Sequence, residues 1–509
     1  MAKSMKKFLS LLLVVAMAVG CFSACSKKKN EKVWQVRDII TDEDITLTYL
    51  FWEDLPIFEK IVEDWNAKYP NIHIEGTEVL TGSYNETLKA NFAAEQGPDI
   101  FGIIGSCDFA IENGMLLDMT ALWKSDKESE NVIRGINDFK IGYFSTDAKW
   151  CTPIKFYPDA AFVNKYMVKE YANMDMPSKE WTWEEYDQFL TEVSSKTYDN
   201  KKLIGLTAPG GCLPVTWYPI MSDGNCVGEF GWTESEDGGS YNMENWAVGL
   251  NIQRDWIQDK VLVLDDASDY KTQMYGEGVI PQDEGYVAVR NDHWYSFTRF
   301  FDNEEQPMLG KNVIFVPYMQ PHLSTVDKDD YTYMSTMDIG GIKSSQTKYA
   351  VEAYEALKFF TWGTEGWKAK LKYYPDMVES ASEGGAFIDG AKMASNFPIN
   401  LDDEVWGQFE AIYTSGDDKY DRNEYFKDFF AKVKAARWVC LGSPQIPGFG
   451  TWLSEYYQTF DFDGTGTYAG IEALVLQGGA DAGAYYKQLQ DEGNKYYRDK
   501  LNEIEVMLQ

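Results

Sequence analysis

The sequence predicts an α/β fold whose first lobe is built on a largely parallel sheet. Three observations carry that prediction. Short runs of β-branched and aromatic residues alternate with helix-periodic runs over residues 45–104. Turn residues mark each change of period. Aromatic residues make up 15% of the chain and charged residues 25%, the composition of a chain that buries a large core. At 509 residues the length suits two or three domains, or two large lobes.

Ile45 to Trp52 (ITLTYLFW) reads as the first strand. Pro56 then suits a first helical turn, and Phe58, Ile61, Val62 and Trp65 recur at i, i+3, i+4 and i+7, the buried stripe of a helix. Pro70 and Asn71 stop it, and Ile72 to Glu75 restarts as a strand. Tyr84 to Glu95 reads as helix, and Gly97-Pro98-Asp99 turns into a strand over Ile100–Ile104. Strand, helix, strand, helix, strand is the signature of an α/β lobe. A second α/β region begins near Trp150. In it, Thr182-Trp183-Glu184-Glu185 forms a capping box for a helix carrying Tyr186, Phe189, Leu190 and Val193. Lys201 to Leu206 reads as a short strand and the Gly- and acid-rich stretch 222–246 as a surface excursion. Val313 to Pro317 reads as a strand, Ala350 to Trp362 as an amphipathic helix, and the C-terminal third as helical.

The N-terminus reads as an export signal. Lys3, Lys6 and Lys7 precede an apolar run from Phe8 to Gly20 broken only by Ser10. That run is too short to cross a bilayer, which takes about 20 residues. Two small-residue endings lead to a cysteine, and each looks like a lipoprotein processing box. Cys25 is read as the lipidated first residue, because Ser26 and a polar stretch follow it; Cys21 is the alternative, and simple secretion is the plainer reading. Residues 25–44 would then tether the fold to lipid on the outer face of the membrane. The formal charge of −33 argues against a nucleic-acid partner, which draws clustered Lys and Arg. The remaining cysteines, Cys107, Cys151, Cys212, Cys226 and Cys440, form no CxxC. A Cys212–Cys226 bridge and free thiols both fit.

Several segments, in order, then point to one family. They are ITLTYLFW with NAKYPNIHIE, GPDIFGIIG with GMLLDMTALW, PIKFYPDAAFVNKYM, PSKEWTWEEYDQFL, GEGVIPQDEGYVAVRNDHWYSF, GGIKSSQTKYAVEAYEALKFFTWGTEGWKAKL, and IPGFG with IEALVLQGGADAGAYYKQLQDEGNKYY. Together they resemble the extracellular solute-binding proteins (family 1) of ABC sugar importers, the group that includes maltose-binding protein. The departures are an enlarged middle, around 222–246 and 262–285, and a long insert near 376–425. The resemblance implies a periplasmic-binding-protein-like, two-lobed α/β fold of type II with a hinge. It places 45–155 and 317–365 in lobe 1, and 156–316 and 366–509 in lobe 2. It implies a carbohydrate, an oligosaccharide by preference, held in the cleft and passed unaltered to membrane permease subunits by a monomeric carrier.

Sugars present C–H faces to aromatic rings and hydroxyl rims to polar groups. The family alignment puts Trp52, Gly105, Ser106, Tyr157, Trp217, Asp292, Trp294, Phe449 and Trp452 at the cleft. Trp52 and Gly105-Ser106 follow strands, where open α/β sheets place ligands. Trp65, Trp183, Trp362 and Trp367 sit on helical stripes and read as packing. Asp461, Asp463 and Glu472 match an EF-hand loop at positions 1, 3 and 12, with Thr465 the departure; a Gly-rich turn reads the same residues without calcium. No other cofactor is expected. With three histidines and no HExxH, GxSxG or P-loop, no enzyme motif stands out. A non-sugar ligand and a surface glycan-degrading enzyme are the alternatives.

Overall fold

The computed structural model describes residues 41–52, 55–105, 108–135, 149–209, 212–235, 238–265, 267–297, 313–381, 396–414, 418, 421–440 and 446–508. The expected leader (1–24), the tether up to residue 40 with Cys25, the alternative Cys21, and Ser106 lie outside them. The end of the expected tether belongs to the fold. Asn71 Nδ2 donates to the carbonyls of Thr41 (2.7 Å) and Glu43 (2.8 Å). Among the described residues no helix is long and apolar enough to cross a membrane.

One sheet of nine strands organises the chain. In chain order the strands are β1 (Ile45–Phe51), β2 (Ile72–Glu78), β3 (Ile100–Ile103), β4 (Thr152–Asn164), β5 (Ile204–Thr207), β6 (Val287–His293), β7 (Phe315–Tyr318), β8 (Thr332–Ile342) and β9 (Arg437–Cys440). They lie in the order β2-β1-β3-β8-β4-β6-β5, with β7 also beside β4 and β9 beside β8. The three strands read from residues 45–104 are parallel, as expected, while the sheet as a whole is mixed. β1 runs parallel to β2 and β3, but β8 is antiparallel to both β3 and β4, and β6 and β7 are antiparallel to β4.

β4 is the spine. Its first half, Thr152 to Pro158, pairs with β8. Its second half pairs with β6 on one side (His293↔Asp159 to Val289↔Val163) and with β7 on the other. The change of partner falls at a proline for a physical reason. Pro158 has no N–H to give, so the ladder with β8 ends there (Ser335↔Pro158). Pro153 sits beside a register shift opposite Asp338 and Ile339, the other place where a missing donor is tolerated.

The helices pack where their apolar stripes dictate. α1 (Leu55–Lys68) buries Ile57, Ile61 and Trp65, and Trp65 Nε1 donates to the Ile72 carbonyl at 2.8 Å. α2 (Tyr84–Ala93) buries Tyr84 and Leu88. α3 (Trp183–Ser194) opens with both halves of the capping box, Thr182 to Glu185 N and Glu185 to Thr182 N. α4 (Pro214–Ser222) starts on a proline at its first turn, and α5 (Glu244–Asp259) follows. α6 (Ala350–Phe360), α7 (Thr364–Ala381), α8 (Asp403–Thr414), α9 (Asn423–Ala435) and α10 (Tyr486–Leu508) complete the long helices. α7 docks on α1 through Lys372–Asp64 (3.1 Å), so the start of the expected second lobe packs with first-lobe elements. Trp65, Trp183, Trp362 and Trp367 lie in the interior, as their helical spacing predicts.

Two local readings need correction. Lys201–Lys202 belongs to a two-strand hairpin with Thr197–Tyr198, and the sheet strand starts only at Ile204. The stretch 222–246 is not a surface excursion. Cys226–Gly228, Trp232–Ser235 and Gly238–Tyr241 form a small antiparallel sheet that buries Phe230, Trp232 and Tyr241. Its glycines mislead: Gly239 is needed because a Cβ there would meet the Trp232 ring at 2.0 Å. Cys151, Cys212 and Cys226 are free thiols, so no Cys212–Cys226 bridge forms.

His322 makes the fold pH-sensitive. Its Nε2 donates to the Thr332 carbonyl at 2.9 Å and its ring stacks on Tyr331 at 4.0 Å. Burial lowers its pKa from 6.5 to about 4. The unfolded chain takes up this proton below pH ~6.5, the folded chain only near 4. His322 therefore contributes stability that is whole above pH ~6.5 and lost as pH falls towards 4, about 3 kcal/mol in total. His322→Gln should flatten that acid limb, which urea unfolding at pH 7 and pH 5 measures.

Candidate ligand-binding site

The accessible face of the sheet lies where β4 changes partners. On β8, Ser335, Met337 and Ile339 are buried while Thr336 and Asp338 between them are partly exposed, so the even positions face outward. On β4, Lys155 pairs with Asp338 and Tyr157 with Thr336, which puts both on that same face.

A string of side chains runs along it. Trp52 follows β1, and its ring meets Tyr84 edge-on at 4.6 Å. Gly102 of β3 lies against that ring; a Cβ there would sit 2.2 Å from the indole, so only glycine fits. Gly105 has φ +75°, which ends the strand in a turn, and its surroundings are open. Lys155 Nζ lies 5.2 Å from the Trp52 ring and donates to the Trp52 carbonyl at 3.2 Å. Tyr157 meets Tyr295 at 5.1 Å in a T-shaped pair. Tyr295, 45% exposed, stacks on His293 at 5.2 Å with an interplanar angle of 20°.

Beneath Tyr295 lies a buried polar cluster. His293 Nδ1 is 2.6 Å from Asp159 Oδ1, its register partner across β4–β6. Thr336 Oγ1 is 3.1 Å from the same nitrogen, and Cys212 Sγ is 3.7 Å from it. Burial works against charge on His293, but the Asp159 carboxylate outweighs it and holds the imidazole above its ordinary pKa. Burial first, then the Asp159 charge, pushes the Cys212 thiol well up. Arg290 closes the cluster: its Nε donates to Asp292 at 2.6 Å and its terminal nitrogens to both oxygens of Asp265 at 2.9 and 3.0 Å. Asp292 also accepts from the His293 backbone N–H at 2.9 Å. It is 1% exposed, so it anchors Arg290 and the strand end rather than facing the groove as expected. A cavity of about 530 Å³ borders Arg290, Asp265, Gln282 and Thr207.

Of the residues expected at the cleft, Trp52, Gly105 and Tyr157 lie along this face, with the Trp52 and Tyr157 rings themselves buried at 4% and 6% exposed. The other aromatics lie away from it in the interior. Trp217 packs edge-on to Trp183 (5.6 Å) and Tyr186 (5.8 Å) and is 1% exposed. Trp294 has no exposed surface: it stacks on Phe429 at 5.3 Å, lies edge-on to Phe397 at 4.8 Å, and donates from Nε1 to Tyr413 at 3.2 Å. Phe449 and Trp452 pack with Phe230, Tyr241 and Tyr457. The cause is the same in both cases. The insert near 376–425 carries Phe397 and Tyr413 over Trp294, and the enlarged middle carries Phe230 and Tyr241 over Phe449 and Trp452.

The loop 461–472 takes the Gly-rich-turn arrangement. Asp461 accepts from Gly464 N (3.0 Å) and Gly466 N (2.8 Å), Asp463 accepts from Thr465 N (3.0 Å), and Glu472 accepts from Tyr457 OH at 2.7 Å. The Asp461 and Asp463 carboxylates meet at the head of the turn, and among the described residues Glu472 does not join them as a third. Sequence reading missed Lys155, Asp159, Cys212, His293, Tyr295 and Thr336. Strand alternation from Tyr157 would have reached Lys155 and Asp159, but pairing His293 with Asp159 requires the register.

The core and surface aromatics should separate in stability measurements. Trp294→Ala should cost about 3–5 kcal/mol, as deletion of a buried ring does. Tyr295→Ala should cost about 1 kcal/mol. Chemical denaturation of both variants checks this.

A family model described as bacterial extracellular solute-binding protein matches residues 52–365. No curated protein matches the sequence. Solved structures do match in fold. A sugar transporter from Rhizobium etli, in an open conformation, superposes with a TM-score of 0.61 at 14% identity over 88% of this chain and 98% of its own. A cyclic alpha-maltosyl-1,6-maltose binding protein from Arthrobacter globiformis gives 0.58 at 13% identity over 89% and 99%. An ABC substrate-binding protein from Listeria monocytogenes, in complex with cycloalternan, gives 0.57 at 16% identity over 88% and 98%.

Proposed function

Because the chain belongs to the bacterial extracellular solute-binding protein family, we propose that it is the carbohydrate-binding component of an ABC importer. The observation that carries the sugar reading is the face at the β4 partner change. It offers an exposed ring, Tyr295, backed by Tyr157, beside the polar groups of Lys155, Thr336 and Asp338. Rings cover the C–H faces of a pyranose, and the polar rim bonds its hydroxyls. The Listeria protein is complexed with cycloalternan and the Arthrobacter protein binds cyclic alpha-maltosyl-1,6-maltose, which supports the same class.

In this reading, residues 45–155 and 317–365 form one lobe, joined by α7, and the rest forms the other. β4 and β7, which span the two lobe boundaries, cross between them as the hinge, and the lobes close on an oligosaccharide that binds the closed state more tightly. The carrier acts as a monomer held to the outer membrane face by lipid on Cys25, delivers its sugar to permease subunits, and performs no chemistry on it.

A thermal-shift screen across mono- and oligosaccharides tests the reading. A ligand at 100 times its Kd adds about 2.7 kcal/mol of stability. Tyr295→Ala should abolish the shift, and chromatography should return the saccharide intact. Shifts with peptides or phosphorylated polyols alone, or cleavage of the saccharide, would replace this function with another.

A further inference from the structure

The cluster under Tyr295 gathers three different donors from three separate elements. Asp159 comes from β4, His293 ends β6, and Cys212 precedes α4. Asp159 and Cys212 are 1% and 0% exposed, and one donor atom from each of the three lies within 4.8 Å of the others. Hydrogen bonding leaves Asp159 poorly satisfied for a buried carboxylate. Among the described residues, Oδ1 has His293, while Oδ2 has only the Cys212 thiol at 4.0 Å. The neighbouring cation does not reach in, because Arg290 is committed to Asp292, Asp265 and Gln282.

We propose that Asp159, Cys212 and His293 form a binding site for a zinc-class divalent cation. Zinc bonds of about 2.3 Å to sulfur and about 2.0 Å to nitrogen separate those two atoms by about 3.5 Å in a tetrahedron. Sγ lies 3.7 Å from Nδ1 and 3.7 Å from Nε2, over the imidazole face, so a rotation of the Cys212 or His293 side chain brings the sulfur to the Nδ1 edge at nearly the required separation. The Asp159–His293 contact of 2.6 Å has to open by well under 1 Å, a small rotation of the carboxylate. Thr336 Oγ1, 3.1 Å from Nδ1, or a water supplies the fourth position. Charge balances on binding. The metal brings two positive charges, and two protons leave to solvent, one from the Cys212 thiol and one from the His293–Asp159 hydrogen bond. The buried site therefore stays neutral. A thiolate, an imidazole and a carboxylate together select zinc or cobalt over calcium or magnesium, which prefer oxygen alone. The site ties β4 and β6 to the loop before α4, directly below the ring proposed to meet the sugar.

Cobalt(II) titration of the chelator-treated full chain tests this, with the metal alone as probe. One equivalent should bind and give a near-ultraviolet thiolate-to-cobalt charge-transfer band that zinc bleaches one for one. Cys212→Ser should lose the band, and Cys226→Ser, a buried thiol outside the cluster, should keep it. No stoichiometric binding, or an unchanged band in Cys212→Ser, would overturn the site. If Cys212→Ser fails to fold, X-ray absorption of the zinc-loaded wild type decides: one sulfur and nitrogen or oxygen neighbours support the site, and a shell without sulfur refutes it. Neither result bears on the saccharide shift.

Discussion

The structure depends on one strand that serves two half-sheets. β4 gives its first half to β8 and its second to β6 and β7, and the exchange happens at Pro158. A proline cannot donate to a ladder, so the backbone itself decides where pairing stops. The residues on either side of that break, Tyr157 and Asp159, inherit special positions. Tyr157 reaches the accessible face, and Asp159 meets the end of β6 through His293. Fold and site are thus joined at the same three residues.

Burial around this break is uneven in a way that separates structural from ligand-facing rings. Among the described tryptophans, Trp217, Trp294 and Trp452, all expected at the sugar, are as buried as Trp65 and Trp362, which were read as packing. Trp294 illustrates the reason. It opens the short helix after β6, and Phe397, Tyr413 and Phe429 pack around its ring. An insertion that brings its own aromatic residues buries more apolar area by covering an existing ring than by staying in solvent. The next residue, Tyr295, then takes the exposed position with the phenol at the surface.

Much of the architecture was legible from local signals. The run ITLTYLFW, the stripe ending at Trp65 and the capping box at Thr182 each act within a few residues, and each forms as read. Signals that depend on distant partners were not legible. The antiparallel strands β4 and β8 are separated by long stretches of chain, and nothing local announces their direction. The Gly-rich stretch 222–246 looked solvated because glycine is read as a turn signal, whereas Gly239 is there to admit the Trp232 ring. The candidate site was half legible for the same reason. Trp52 and Tyr157 follow from strand ends and motif position, but the Asp159–His293 pairing exists only through β4–β6 register.

A crystal structure of the chain with an oligosaccharide that raises its melting temperature tests the central claim most directly. The account predicts a sugar ring against Tyr295, with hydroxyls within hydrogen-bond distance of Lys155, Thr336 or Asp338, and Trp294 and Trp452 still enclosed. A sugar stacked on Trp217, Trp294 or Trp452, with the face at Pro158 bare, would contradict it.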